Sequence, residues 1–141
     1  MPLLIEKFAE TKIFPTIMEL SDSECRAVED VVVLAELNEE IILRVLQIRY
    51  EDLNIYTNAG NVLMAINPFN PVPLYTDKIL NMYRKAYLPK LEKLPPHPWK
   101  TAAKAYIQMF GDNRQTCSLM KPSASTMRPQ SVVVSGESGA G

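Results

Sequence analysis

Ser131-Val132-Val133-Val134-Ser135-Gly136-Glu137-Ser138-Gly139-Ala140-Gly141 is a β-branched run followed by G-x-x-x-x-G. Three of the five glycines in this 141-residue chain lie in these last six positions. Val132, Val133 and Val134 have the continuous apolar pattern of a strand buried on both faces. Gly136, Gly139 and Gly141 then permit positive φ and a close backbone approach to a ligand. Strand followed by glycine loop is the layout of a phosphate-binding P-loop. Its successive backbone N–H groups curl around phosphate oxygens, and the helix behind adds the positive end of its dipole. Lys and then Ser or Thr complete that motif. The Lys reaches the β- and γ-phosphates, and the hydroxyl holds Mg²⁺. Both positions fall after Gly141 and are not in this sequence. A glycine pair at this spacing also arises in ordinary turns, so a glycine-rich tail is the alternative reading of these residues alone.

Composition narrows the class. A hydrophobic content of 47% suits a globular chain of one domain. The formal net charge of −1 gives no footprint for nucleic acid or an anionic membrane. Cys25 and Cys117 are too few and too isolated for a disulfide framework or a metal site. Met1–Glu10 lacks the basic start and long apolar core of a signal peptide. No apolar run approaches the roughly 18–20 residues of a membrane span.

Upstream of the glycine loop, residues 1–29 read as a leader, partly helical, with a solvated charged stretch from Asp22 to Asp30. Leu37–Tyr50 reads as a helix, with Asn38 as N-cap, Glu39 and Glu40 in the first turn, and Ile41, Val45 and Arg49 at helical spacing. Ile55–Ile66 reads as a hairpin: strands Ile55–Thr57 and Val62–Ile66 around an Asn58-Ala59-Gly60-Asn61 turn. Pro68, Pro71 and Pro73 stiffen the stretch that follows. Asp77–Ala86 is a second helix, capped by Thr76, and Trp99–Phe110 a third, with Gly111 as its C′ residue. Trp99, Tyr106 and the Ile41/Val45 face read as core. His97, the only histidine, lies between prolines and reads as structural rather than as a base. Residues 112–130 form a long polar loop.

Four stretches together resemble the start of a myosin motor domain. Asp30–Tyr50 is similar to the family's D-x-x-x-L-x-x-L-x-E-x-x-I-L-x-x-L-x-x-R-Y helix, and Ile55–Phe69 to its I-Y-T-x-x-G-x-x-L-x-A-x-N-P-[FY] hairpin. Pro73-Leu74-Tyr75 completes N-P-[FY]-x-x-x-P-x-Y. Gln130–Gly141 is similar to Q-S-[IV]-x-[IV]-[ST]-G-E-S-G-A-G. The order is the family's, and the resemblance covers about four fifths of the chain. Departures are Asn58 at a hairpin-tip position often held by Tyr, Pro98 where an aliphatic residue is usual, and a Met109–Gln130 segment about a dozen residues longer than the family's.

The resemblance implies an α/β fold of the P-loop NTPase type, here the N-terminal portion: helices, a β-hairpin and the P-loop strand. It implies a leader at 1–29 and a partial motor domain at 30–141 that ends inside the P-loop. Asn67, Pro68, Phe69 and Tyr75 become purine-side candidates. Gly136, Glu137, Ser138, Gly139, Ala140 and Gly141 become the phosphate cradle, with Ser138 the candidate nearest the γ-phosphate and attacking water. ATP and Mg²⁺ are the implied ligands, actin filaments the implied partner through regions outside these residues, and the cytoplasm and cytoskeleton the implied location. Without the Lys, the Mg²⁺-binding hydroxyl and the switch loops, the 141 residues are expected not to hydrolyse ATP. A non-catalytic interaction module or a pseudogene remnant is the alternative. An unpartnered Val132–Val134 strand also predicts poor autonomous folding. Residues 1–141 purified alone should show no cooperative thermal transition, and a sharp transition in a monodisperse sample would contradict this.

Overall fold

A computed structural model describes residues 20–86, 88–110 and 128–139. Helix α1 spans Asp22–Ala27 and is followed by a 3-10 turn at Val31–Val33. Helix α2 spans Glu39–Glu51, strands β1 and β2 span Tyr56–Ala59 and Val62–Ala65, and α3 spans Asp77–Arg84. A short α4 at Leu88–Glu92 precedes α5 at Pro98–Phe110. Among the described residues the sheet is the antiparallel β1–β2 pair, in register Tyr56↔Ala65 through Ala59↔Val62.

Local chemistry sets the element ends. Ser21 and Glu24 form a reciprocal capping box on α1. The Asn38 and Thr76 side chains accept from Ile41 N–H and Ile79 N–H, as their N-cap spacing predicts. Helix α2 stops in a Schellman arrangement, with Asn54 N–H donating to Arg49 C=O and Leu53 N–H to Tyr50 C=O. The C′ residue of that stop is Leu53 at φ 59°, a left-handed conformation that costs a non-glycine residue roughly 1 kcal/mol. The hairpin turn is shorter than the sequence reading: β1 runs on through Ala59, leaving Gly60-Asn61 as a two-residue turn. Gly60 takes φ 62° there. Pro98 does not delay α5. It opens the helix, where a missing N–H costs nothing.

Two apolar clusters form the core. One joins Cys25, Val31 and Val45, with Leu20, Val28, Ile48 and Met64 against them. The other joins Tyr83, Ala86, Leu91 and Ile107, with Ile79, Leu94, Trp99 and Ala103 against them. The charged stretch around Asp22 is therefore not simply a solvated leader. Helix α1 buries Cys25 completely and lies on α2, flanked by the exposed pairs Asp22–Arg44 and Arg26–Asp52. Tyr106, expected in the core, is 54% exposed. The expected Val132–Val134 strand is absent: these residues have no regular secondary structure and are exposed. A strand persists only when a neighbour takes up its N–H and C=O groups, and no described segment pairs with this run. Gly111, residues 112–127 and residues 1–19 lie outside the described residues. The two ends of the long polar segment meet nonetheless, with Arg128 N–H donating to Met109 C=O at 2.9 Å.

Arg49 ties the first cluster to the hairpin. Only 4% exposed, it donates from Nε to Thr57 Oγ1 (2.9 Å), from Nη1 to Arg26 C=O (2.9 Å) and from Nη2 to Tyr56 C=O (3.1 Å). Burial draws its pKa down, and the Glu29 carboxylate opposes that shift. Asp30 supports the same junction: its Oδ1 accepts from Val32 N–H and Gly60 N–H, while Asn58 N–H donates to Glu29 C=O. Replacing Arg49 by Met would strand a buried hydroxyl and two carbonyls, at roughly 1–3 kcal/mol for each buried group left unsatisfied. In the full-length polypeptide carrying this sequence, R49M should abolish slow hydrogen exchange at Tyr56–Ala59. Unchanged protection there would contradict the assignment.

Candidate nucleotide site

The candidate purine-side residues lie on the strap between β2 and α3, residues 66–76. Regular ladder bonding ends with Ile66 N–H donating to Ile55 C=O, so side chains take over. Asn67 Oδ1 accepts from Phe69 N–H (2.9 Å), a local Asx turn that accompanies φ 52° at Phe69. Tyr50 Oη and Asn70 Nδ2 each donate to Pro68 C=O at 3.4 Å. Phe69 and Tyr75 are exposed, at 72% and 56%.

Tyr75 is held from beneath. Its hydroxyl shares a short hydrogen bond with Tyr56 Oη. Its ring meets His97 edge-on at 5.7 Å and Trp99 at 6.1 Å between centroids. His97 is buried and stacks on Tyr83 at 5.1 Å. Burial raises the Tyr56 phenol pKa, helped by the bond to Tyr75. Burial likewise raises Tyr83, with the Glu29 charge adding to it. His97 shifts down, because burial disfavours its cation more than the Leu74 carbonyl favours it.

Among the described residues, a hydrogen bond joins the glycine loop to this strap. Asn67 Nδ2 donates to Gly139 C=O at 3.1 Å across 72 positions of sequence. Gly139 lies in a turn at φ 83°, and a Cβ built there would meet nothing within 4 Å. The loop is therefore open on that side, and its conformation rather than crowding calls for glycine. Gly136, Glu137 and Ser138 are exposed beside it, while Ala140 and Gly141 lie outside the described residues. The structure thus brings Asn67 to Gly139, places Pro68 and Phe69 next to Asn67, and sets Tyr75 at the strap's far end. Ser138 adjoins Gly139 in the chain.

Two features of this site had little sequence signal. Tyr56 and His97, which carry Tyr75, come from a strand and a proline-flanked turn whose spacing does not announce contact. The Pro-His-Pro context of His97 was the available hint of rigidity. A cavity of about 280 Å³ lies elsewhere, between α3 and α5, lined by Leu80, Tyr83, Trp99, Ala103, Tyr106 and Ile107. None of the candidate residues lines it.

Comparison with known proteins decides the family. A sequence profile of the myosin head (motor domain) matches residues 28–141. This chain belongs to the myosin head family. It is 37% identical over 116 residues to the high molecular weight form of myosin-1 of Acanthamoeba castellanii, covering 82% of this chain and 6% of that protein. It is 36% identical over 119 residues to myosin-VIIa of Drosophila melanogaster, covering 84% of this chain and 5% of that protein. It is 39% identical over 129 residues to myosin-13 of Arabidopsis thaliana, covering 91% and 7%. The chain thus spans well under a tenth of the length of these myosins.

Substitution of Asn67 by Asp keeps the acceptor for Phe69 N–H but sets lone pairs against the Gly139 carbonyl. In the full-length polypeptide, N67D should weaken ATP binding about tenfold, or about 1.4 kcal/mol. An unchanged Kd in equilibrium titration would show that the strap and loop act independently.

Proposed function

We propose that this chain is the N-terminal part of an ATP-dependent, actin-based motor head, supplying the purine-side wall and the first half of the phosphate loop. The observation that carries this reading is the Asn67–Gly139 hydrogen bond. It joins the N-P-F segment to the glycine loop, as a ligand with a base at one end and phosphates at the other would require. Asn67, Pro68, Phe69 and Tyr75 contact the base. Tyr75 presents a phenol to its edge, and the stiff proline-rich strap loses little entropy on binding. Gly136–Gly141 offer backbone N–H groups to phosphate oxygens, with Ser138 beside the reacting phosphoryl group.

ATP is then the substrate, and catalysis in the complete head rests on positioning and electrostatics rather than covalent chemistry. The Mg²⁺-binding hydroxyl of the family pattern follows Gly141. The described residues form no group of three or more His, Cys, Asp or Glu side chains that could hold a metal ion. Actin filaments are the partner of the complete head, and the cytoplasm, at the cytoskeleton, its location. No helix of the described residues is long and apolar enough to cross a membrane.

Residues 1–141 alone should release no phosphate from ATP above a mock preparation. A full-length polypeptide that reads through Gly141 into Lys and Ser or Thr should hydrolyse ATP, and faster with actin filaments present. Turnover by the 141 residues, or a full-length polypeptide inert with and without actin, would overturn the proposal. Transcript sequencing across the Gly141 codon supplies the reading frame for that test.

A further inference from the structure

The imidazole of His97 holds two unrelated backbone groups at once. Nε2 lies 3.1 Å from Leu74 C=O, and Nδ1 lies 3.1 Å from Trp99 N–H. A carbonyl accepts only and an amide N–H donates only, so the tautomer is fixed: Nε2 carries the proton and Nδ1 is bare. The Nδ1 side is a helix cap, since Lys100 N–H and Thr101 N–H both donate to His97 C=O at the start of α5. The Nε2 side is a tether on the strap, one residue before Tyr75. The ring also packs edge-on against Tyr56 and Tyr75 and stacks on Tyr83.

We propose that His97 is a positioning residue for the purine-side wall: by donating to the Leu74 carbonyl it fixes where Tyr75 stands, and so sets how tightly the site takes the base. The inference rests on the nucleotide reading given above and assigns the strap's registry to a residue outside the strap. The groups facing the imidazole are Tyr56 from β1, Tyr75 from the strap, Tyr83 from α3 and Trp99 from α5. None of them is a carboxylate, an amine or a guanidinium. Leu74 C=O is thus the polar group on the strap to which the ring is bonded, and a neutral donor suffices for the tether.

Two substitutions separate the halves of the ring. In His97→Asn the side-chain oxygen can replace Nδ1 as the cap of α5, but the side chain is too short to reach Leu74. In His97→Gln the amide N–H can stand where Nε2 does and keep the tether. The experiment uses the full-length polypeptide carrying this sequence and titrates two probes, ATP and inorganic tripolyphosphate, which has no base. H97N should weaken ATP about tenfold and leave tripolyphosphate within about twofold. H97Q should bind both within about threefold of the wild type. Equal loss of both probes in H97N would mean a general structural role and overturn the inference. So would loss of ATP binding in H97Q with retention in H97N, or no loss in either variant. A wild type that binds tripolyphosphate as tightly as ATP would remove the purine wall itself, and the inference with it. A wild type that prefers ATP while H97N is unaffected would remove the His97 role alone.

Discussion

One buried guanidinium holds this fold in register. Arg49 is the point where the end of α1, the C-terminal turn of α2 and the first strand of the hairpin share hydrogen bonds. A guanidinium suits this place because its planar fork presents several donors in fixed directions. It is bonded to neutral oxygens, and among the described residues it has no close ion pair, with Glu29 contributing a favourable field. Two parts of the candidate site start from the hairpin that this residue fixes. β1 delivers Tyr56 to the aromatic box, and β2 releases the strap at Asn67. The exposed ion pairs along α1 are worth little beside this, at up to about 1 kcal/mol each.

The strap shows how a segment without regular structure can still be well placed. Its prolines remove donors and restrict φ, which lowers the entropy it can lose but gives it no ladder. Position comes from outside: Tyr50 on α2, Tyr56 on β1 and His97 before α5 each hold one spot. In this zone Tyr56 of the hairpin meets Tyr75 of the strap and His97, and His97 stacks on Tyr83 of the second cluster.

Much of this could be read in the sequence, and the failures share a cause. Asn38 and Thr76 act within three residues of themselves, so their caps were legible. Gly60 marked the hairpin because positive φ is a local demand, although the strand ran two residues further than expected. Asn67, Pro68, Phe69 and Tyr75 were found as a motif, while the residues that hold them were not. Arg49 looked like an ordinary cation at a helix C-terminus, since its partners Arg26 and Thr57 lie 23 and 8 residues away. Helix α4 was hidden by Pro89, which a first helical turn accepts. The Val132–Val134 run misled for the opposite reason: its β propensity is real, but propensity supplies no partner.

The Arg128 N–H to Met109 C=O bond gives the long segment after α5 a narrow neck. That bond fixes the separation of Met109 and Arg128 independently of how many residues lie between them. Closing a flexible loop costs only about 0.6 kcal/mol more for each doubling of its length. Residues can be added between Met109 and Arg128 without altering the distance between Asn67 and Gly139. The neck thus uncouples the length of chain between Met109 and Arg128 from the placement of the residues that follow it.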